Sequence, residues 1–520
     1  MSSPTRRACA CTHRDLPEDG KASASTHPAG REETKRTLGI VGGGLAGLAA
    51  AVEAVERGWR VDLFEQAPFL GGRAGSLVDS RTGQLIDYCQ HVAMGCCSRF
   101  LEFCRRTGIA DCFQSAGALH FIGPDGKQCD VAASRWLPAP LHLLPGLMRL
   151  KYLTLGERWA IATAMRRLVR GQRDAALSLP DATLGDWLRT QHQSAHAIEG
   201  FWSVVIESAL GETVDHASAA AARQVFRDGF MLSRQAGDVL LPRLPLRQIF
   251  HDRLLPWLAN RGVQIHLATR VRSIEGTASS AQTLVLDGGV RKTFDQLVVA
   301  VPWHALGPLL AGELSLPSHF GIGAGGDGRD ATGPHPNPLP KGEGTVMTGP
   351  HPNALPTGGR TEIERIEPAA ITGIHLWFDR PVVPLPHAVL VGRLGQWVFA
   401  DSVSRLPKGE GTAAQHCQVV ISASHRLPRR SHDEWLAAIA DELRSTWPTA
   451  AAAKLLHGRV VTQPAALFSA QPGVDRDRPP QQTAIANLAL AGDWTATGWP
   501  ATMESAVRSG RLAVEALDGS

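Results

Sequence analysis

The sequence has little of what marks membrane-spanning, nucleic-acid-binding or disulfide-rich proteins. It contains no apolar run of about 18 residues, so we expect no membrane-spanning helix. The net charge is only +4 over 520 residues. Lysine and arginine are scattered rather than arranged with aromatic residues, so we expect no nucleic-acid partner. The nine cysteines follow no regular spacing, which favours reduced thiols in a cytoplasmic protein over a disulfide framework.

Tyrosine is also scarce, since Tyr88 and Tyr152 are the only two in the chain. Hydrophobic residues make up 43% of the chain and charged residues 20%, which is the composition of an ordinary globular protein. A chain of 520 residues can bury one large core or two.

Residues 38–51 form a short apolar run that is broken by glycines and then continues as an alanine-rich segment. Gly42, Gly44 and Gly47 have the spacing G-x-G-x-x-G, which predicts a strand, a tight turn and a helix that bind a dinucleotide. The first glycine permits the turn and the second lets the backbone approach a pyrophosphate. The third allows the helix to pack closely on the strand.

The predicted helix supplies an anion site and leads to an acidic residue. The N–H groups at its start, at Leu45 and Ala46, are free to bind phosphate oxygens. The next predicted strand, residues 60–65, ends at Glu65, about 20 residues beyond the glycines. A carboxylate there can accept hydrogen bonds from both hydroxyls of an adenosine ribose. Its charge disfavours a 2′-phosphate, so NADP is not expected at this site.

A second glycine-rich segment follows, with Gly71, Gly72 and Arg73 in succession. Paired glycines permit close backbone approach, and an arginine can donate two hydrogen bonds to phosphate oxygens. This segment resembles the second fingerprint of the flavoproteins with two dinucleotide-binding domains, the superfamily of amine oxidases and carotenoid desaturases. The resemblance implies FAD as the cofactor, with Gly72 and Arg73 beside its pyrophosphate.

Residues 488–510 resemble the third fingerprint of the same superfamily, a strand, a Gly-Asp pair, a loop and a helix. The resemblance implies that Asp493, after Gly492, holds the ribityl chain of FAD. It also implies that the helix start at Thr502 and Met503 points at the pyrimidine edge of the flavin. The helix dipole there stabilises negative charge on the reduced flavin.

The order of these motifs predicts an α/β fold. It comprises a discontinuous Rossmann-like FAD-binding domain and a mixed α+β substrate domain. The apolar run 294–302 is typical of a strand in a parallel sheet that is covered on both faces. The resemblance places the backbone of Val271 against the adenine ring. The predicted segments are 37–110, 250–316 and 485–520 for the FAD-binding domain, and 111–249 and 363–484 for the substrate domain.

Residues 1–36 do not fit this plan. They are rich in serine, threonine, arginine, glycine and proline and show no hydrophobic period, so we expect a disordered extension or a misplaced start codon. Cys9, Cys11 and His13 form a compact cluster without a fourth ligand, so no metal site is predicted.

Residues 317–362 are predicted to be a disordered, repeat-like insertion. The segment 333–345, rich in proline and glycine, recurs in part at 349–356 and again at 406–412. Repeated polar sequence of this kind cannot pack a core.

The chemistry is expected at residues 85–97, which lie against the flavin ring in the superfamily. Asp87, Gln90 and His91 resemble the Asp-x-Gly-Gln-His segment of the squalene-associated FAD-dependent enzymes, the hydroxysqualene dehydroxylases, with Cys89 where that family has glycine. The resemblance implies an enzyme that reduces hydroxysqualene to squalene in hopanoid-type triterpene synthesis. Asp87, Gln90 and His91 are therefore the catalytic candidates, since amide and imidazole groups can donate to a flavin carbonyl or a substrate oxygen.

Three other functions stay open. A carotenoid desaturase would run the flavin in the oxidising direction on a similar polyene. A flavin amine oxidase usually frames its substrate with aromatic rings, often tyrosines; neither tyrosine is in the closing motif, although Trp494 and Trp499 are. A catalytically silent flavin-binding partner in an isoprenoid assembly is the third.

Residues 136–150 are strongly apolar but contain too many prolines for one continuous helix. The basic residues Arg149, Lys151, Arg166 and Arg167 follow. This pattern suits an enzyme that lies on the inner face of the cytoplasmic membrane and takes a lipid substrate from it. A buried connector in a cytoplasmic protein would explain the pattern equally well. The sequence does not predict an oligomeric state.

Overall fold

The computed structural model describes residues 35–170, 182–277, 279–310, 363–401 and 415–519. The elements below all belong to the unit Arg36–Ser520. The predicted extension, apart from its last two residues, lies outside the described residues, and so do Cys9, Cys11 and His13. The predicted insertion 317–362 and the partial repeat 406–412 lie outside them as well.

The strands of the described chain are numbered in chain order. They are β1 Thr37–Val41, β2 Arg60–Phe64, β3 Ser76–Val78, β4 Leu85–Asp87, β5 Ala93–Met94, β6 Phe113–Ser115, β7 Leu119–Ile122, β8 Gln128–Val131, β9 Val239–Pro242, β10 Gln264–His266, β11 Val271–Thr277, β12 Ser280–Leu286, β13 Arg291–Thr293, β14 Gln296–Val299, β15 Pro368–Phe378, β16 His387–Leu390, β17 Trp397–Ala400, β18 Gln415–Ile421, β19 Leu455–Phe468 and β20 Leu488–Leu490.

The α-helices of the described chain are numbered in the same way. They are α1 Leu45–Glu56, α2 Ser98–Arg106, α3 Leu144–Arg149, α4 Leu155–Arg170, α5 Leu184–Thr190, α6 Ala195–Ala197, α7 Val204–Leu210, α8 Ala219–Phe226, α9 Leu254–Ala259, α10 His432–Thr446, α11 Val474–Asp477 and α12 Met503–Asp518. Segments of π-helix, at Ile198–Ser203, Arg227–Met231 and Gln248–Arg253, adjoin α7, α8 and α9.

This unit contains a parallel sheet with the strand order β10-β2-β1-β14-β20. The chain runs from β1 through α1 to β2, and β2 pairs with β1 in parallel. Strands β1, β14 and β20 are buried along most of their length, as expected of a parallel sheet that is covered on both faces. The predicted α/β fold is confirmed.

Helices α1 and α12 pack against each other beside this sheet, in one apolar core. The buried face of α12 includes Met503, Val507, Val514 and Leu517. At the crossing, a Cβ atom added to Gly510 would lie 2.1 Å from the backbone oxygen of Ala46 in α1. The two helices therefore approach closely only because residue 510 has no side chain.

A larger mixed sheet has the strand order β19-β15-β18-β17-β16-β7-β8. Strand β15 is almost completely buried and pairs antiparallel with β18 and β19 on its two sides. Helix α10 packs on this sheet through Trp435, Ile439 and Leu443. Its start is fixed by a capping box between Ser431 and Glu434.

The glycine at the crossing of α1 and α12 gives a test of this packing. We expect Gly510→Ala to lower the free energy of unfolding by about 2 kcal/mol, because the added methyl group must push the helices apart. Gly156→Ala is the matched control, since Gly156 is also helical and an added Cβ meets nothing within 4 Å. Urea unfolding of both variants measures the difference. Equal stability of the two variants would contradict the close crossing.

Candidate flavin site

The first two glycine motifs touch each other. The backbone N–H of Gly71 donates to the carbonyl oxygen of Gly43 at 2.9 Å. Gly72 has a φ of +58°, and a Cβ atom there would lie 3.0 Å from the Cα atom of Gly44. The two loops are therefore in backbone contact, and a side chain at Gly72 would press on Gly44.

The first loop has the geometry of an anion cradle. Gly42 has a φ of +108°, and a Cβ atom on Gly47 would lie 1.9 Å from the Gly42 carbonyl oxygen. Both positions therefore require glycine. Gly44 is the N-cap of α1 and provides no side-chain cap, so the first N–H groups of the helix, at Leu45 and Ala46, face outward for an anion.

Glu65 lies directly beneath this loop and is buried. Its carboxylate accepts hydrogen bonds from the N–H groups of Gly43 and Ala67, both at 2.7 Å. Burial raises the pKa of Glu65, while those two hydrogen bonds act in the opposite direction. The backbone oxygen of Glu65 accepts from Thr269 at 2.9 Å, which brings the start of β11 and the buried Val271 beside the acidic residue.

An ion pair joins the second motif to the third. Arg73 donates to the carboxylate of Asp493 and, through Nη1, to the carbonyl oxygen of Ala466 at 2.9 Å. The neighbouring N–H of Gly492 donates to the hydroxyl of Ser509 in α12 at 2.8 Å. The two charged groups predicted to contact FAD thus meet in the folded chain.

The start of α12 is held by polar contacts within the protein. Thr502 is the N-cap, and its hydroxyl accepts from the N–H of Ser505 at 3.2 Å. Glu504 follows Met503 and is fully buried. Its carboxylate accepts from the N–H of Phe100 at 2.8 Å, near the start of α2. The sequence motif did not single out Glu504, because its partner in α2 lies 404 residues away.

Asp87 closes the hairpin β3–β4 beside these loops. Its Oδ1 atom accepts from the hydroxyl of Ser76 at 2.6 Å and from the N–H of Leu246 at 2.9 Å. Burial raises the pKa of Asp87 to about 6, with a further contribution from the charge of Asp401. The carboxyl group therefore fastens the hairpin to the segment that leads into α9.

His91 lies four residues beyond the hairpin, which ends at Asp87. Its Nδ1 atom is 3.0 Å from the carbonyl oxygen of Cys89, which can only accept a hydrogen bond. A proton on Nδ1 satisfies this contact and leaves Nε2 as the second polar atom of the ring. Burial lowers the pKa of His91, and the positive charge of Arg73 lowers it further. Gln90, between Cys89 and His91 in the sequence, is half-buried.

Cys89 lies opposite Gly373 of β15. A Cβ atom on Gly373 of β15 would lie 2.5 Å from the carbonyl oxygen of Tyr88 and 3.5 Å from the Cα atom of Cys89. The thiol is buried, which raises its pKa to about 12. The cysteine is therefore accommodated by the missing side chain on β15.

Sequence reasoning missed a polar group on the larger sheet. His375 of β15 and Gln418 of β18 both reach the carbonyl oxygen of Asp87, at 3.0 and 3.4 Å. His375 also contacts His416 at 3.0 Å. The available signal was a single histidine within an apolar strand, which does not by itself indicate a partner.

The tyrosines and the tryptophans of the closing motif all contact protein groups. Tyr88 packs on Trp377, and the hydroxyl of Tyr152 donates to Gly200. The indole N–H of Trp494 donates to the carbonyl oxygen of Val301 at 2.9 Å. The ring of Trp499 lies under the guanidinium of Arg508.

Comparison with known proteins identifies the class of flavoprotein. The sequence profile of the flavin-containing amine oxidoreductases matches residues 45–321 and 336–518. The chain belongs to this family. FAD is its cofactor, as the glycine fingerprints predict. The cradle at Gly42 and Gly47 and the uncapped start of α1 fit such a dinucleotide.

The relatives of this flavoprotein include hydroxysqualene dehydroxylases and carotene desaturases. It is 24% identical to the hydroxysqualene dehydroxylase of Zymomonas mobilis, over 92% of this chain and 97% of that protein. It is also 24% identical to a probable zeta-carotene desaturase of Synechococcus elongatus, over 92% of this chain and 98% of that protein. Both alignments cover nearly the whole of each relative.

Solved structures with the same fold include two oxidoreductases. One is an oxidoreductase from Methanosarcina mazei, with a TM-score of 0.64 and 14% identity over 93% of this chain and 100% of the other. A putrescine oxidase bound to putrescine has a TM-score of 0.61 and 14% identity over 94% of this chain and 99% of the other. These similarities show the fold. Within the described ranges, no helix of this flavoprotein is both long and apolar enough to span a bilayer.

Substitution of Gly72 tests the contact between the two loops. We expect Gly72→Ala to lose bound FAD during purification, because its Cβ atom would press on Gly44. Gly83→Ala is the matched control: Gly83 has a φ of +69°, and an added Cβ atom there meets nothing within 4 Å. Each variant should lose about 1 kcal/mol of stability from its left-handed backbone. The ratio of flavin to protein absorbance measures occupancy, and equal occupancy would contradict the contact.

Proposed function

We propose that this flavoprotein reduces hydroxysqualene to squalene in hopanoid-type triterpene synthesis. The observation that carries the proposal is the Asp87–His91 segment, which resembles that of the hydroxysqualene dehydroxylases and lies beside Arg73. The whole-length similarity to a hydroxysqualene dehydroxylase supports it. In the reaction a C–O bond breaks and a C–H bond forms. The substrate takes up a hydride and a proton and releases water.

FAD, when bound and reduced, supplies the hydride. In this proposal the three contacting loops would hold the cofactor. Glu65 would bind the adenosine ribose, the backbone of Val271 would contact the adenine, and the start of α1 with Arg73 would bind the pyrophosphate. Asp493 would bind the ribityl chain, and the start of α12 would face the flavin ring. This route places the predicted FAD-binding domain at the parallel sheet and the substrate domain on the larger sheet and the remaining helices.

His91 is the proposed proton donor to the departing hydroxyl group. With Nδ1–H donated to the Cys89 carbonyl oxygen, Nε2 is left to face the substrate. The protonated ring can donate from Nε2 to the hydroxyl oxygen, so that water leaves instead of hydroxide. Gln90 supplies an amide that can orient the same oxygen.

Asp87 has a different role in this proposal from that of His91. Its Oδ1 atom is already taken by Ser76 and Leu246. It therefore fixes the position of the segment that carries Gln90 and His91. Removal of this carboxyl group should displace both side chains together.

A carotenoid-type desaturase is the second candidate. The observation in its favour is the 24% identity to the zeta-carotene desaturase, which covers the same share of this chain. The same fold and flavin site would then remove hydrogen from a polyene. An amine oxidase is less well supported, because Trp494 and Trp499 are engaged by Val301 and Arg508.

A surface patch supports access from a membrane. Trp136, Leu141 and Leu232 expose 92%, 53% and 59% of their surface. The loop that carries Trp136 is closed by a hydrogen bond between Ser134 and His142. Arg234, exposed, donates to the backbone of Arg135 and joins this loop to the segment that follows Leu232. Exposed apolar side chains among arginines suit an anionic lipid surface. We propose peripheral contact with the inner face of the cytoplasmic membrane.

An anaerobic experiment tests the proposed reaction. The purified flavoprotein is photoreduced and mixed with hydroxysqualene in detergent, and the flavin absorbance is followed while lipids are extracted. We expect the oxidised flavin spectrum to return as squalene appears. If the oxidised spectrum does not return and no squalene appears, while zeta-carotene bleaches the flavin of the oxidised protein, the proposal is contradicted and the desaturase is favoured.

The role of His91 predicts a pH dependence. Because burial lowers the pKa of His91 below its ordinary value of about 6.5, the donating form is lost as pH rises through that lowered pKa. Turnover of hydroxysqualene should therefore fall as pH rises. We expect His91→Gln to lose this dependence and about a hundredfold in turnover. His120→Gln, at an exposed histidine–aspartate pair, is the control. An unchanged profile in His91→Gln would exclude the role.

The membrane contact is tested by flotation with vesicles of phosphatidylglycerol and phosphatidylcholine. We expect Trp136→Ser to weaken binding about tenfold, because one large apolar side chain no longer enters the lipid. Trp159→Ser removes another exposed tryptophan, on α4, and should bind like the unaltered protein. Equal binding of vesicles by Trp136→Ser and Trp159→Ser would contradict a membrane contact at Trp136.

A further inference from the structure

Three hydrogen-bonded polar side chains, His375, His416 and Asp401, form a series on the larger sheet. His375 Nδ1 lies 3.0 Å from His416 Nε2, and His416 Nδ1 lies 2.8 Å from Oδ2 of Asp401. The two imidazole rings are nearly parallel, with centroids 5.2 Å apart. The side chain of Asp401 is 67% exposed, whereas His375 is fully buried. The series Asp401, His416 and His375 therefore leads from solvent into the interior.

His375, at the inner end of this series, contacts the Asp87–His91 segment, which is proposed to lie beside the flavin. His375 Nε2 is 3.0 Å from the carbonyl oxygen of Asp87 and 3.1 Å from the amide nitrogen of Gln418. Asp87 precedes Tyr88 and Cys89, and the carbonyl of Cys89 holds His91. A change at His375 therefore acts on the backbone that carries the proposed proton donor.

Two arrangements of protons are possible along this series of side chains. With one proton on each ring, His416 donates to Asp401, His375 donates to His416, and Gln418 donates to the free Nε2 atom of His375. With one more proton, His416 donates from both nitrogens. His375 then accepts at Nδ1 and carries its hydrogen on Nε2, where it donates to the Asp87 carbonyl oxygen.

We propose that His375 is a positioning residue for the Asp87–His91 segment, and that the proton on the Asp401–His416 pair decides whether His375 donates to the Asp87 carbonyl. The inference rests on the proposed place of this segment beside FAD. It does not depend on which isoprenoid is the substrate.

The interior disfavours an additional proton on His375 itself. Burial lowers the pKa of His375 well below its ordinary value, and the neighbouring His416 lowers it further. His416 has the carboxylate of Asp401 as its counter-charge. The titratable and charged groups around His375 are Asp79, Asp87, Asp401, His416, His457 and Arg459.

Protonation of the series Asp401–His416–His375 can be detected without any substrate. The measurement is the midpoint potential of bound FAD as a function of pH. A positive charge near the flavin favours its reduction, so gain of the proton should appear as an added step in the curve of the unaltered protein. We expect Asp401→Asn to move this step to lower pH by about one unit, because the protonated pair loses its counter-charge. His416→Gln should remove the step.

The matched control is Asp130→Asn, which takes the carboxylate from another histidine pair, His120–Asp130, on the strands β7 and β8. Its curve should superimpose on that of the unaltered protein. A curve without the step in the unaltered protein, or the same step in Asp401→Asn, would overturn the inference. If hydroxysqualene is not reduced but the step moves as expected, the proposed substrate fails and the positioning role stands.

Discussion

The ion pair between Arg73 and Asp493 is the contact on which the arrangement of the flavin site depends. It joins residues 420 positions apart and holds the loop after β2 against the loop after β20. Glycines at 44 and 72 bring the first two loops to backbone contact, and the ion pair adds the third. These contacts bring the three sequence motifs together, and we propose that one dinucleotide covers all of them.

The hairpin β3–β4 connects this site to the larger sheet. Its outer part is fixed by Asp79, whose carboxylate contacts His457 at 3.1 Å. Gln84 accepts a hydrogen bond from the indole of Trp377 at 3.0 Å. Its inner end contacts His375 through Asp87. The hairpin thus connects the larger sheet to the Gln90–His91 pair. The buried His375 is tolerated on β15 because its ring nitrogens have hydrogen-bond partners.

The sequence predicted the flavin fold and the cofactor because their signals are local. The positive φ of Gly42 and Gly72 and the start of α1 are set by a few neighbouring residues, and motif spacing records them. The contacts of His375 and Glu504 could not be predicted in this way, since their partners lie 288 and 404 residues away. The predicted roles of Asp87, Gln90 and His91 and the domain boundaries stay predictions.

A double-mutant cycle on Arg73 and Asp493 tests most directly whether the three loops form one flavin site. FAD affinity is measured by titrating apoprotein and following flavin fluorescence, for Arg73→Ala, Asp493→Ala and the double variant. We expect each single variant to bind FAD more weakly, and the double variant to differ from the sum of both losses by about 1 kcal/mol or more. Strictly additive losses, or unchanged affinity in all three, would contradict a shared site.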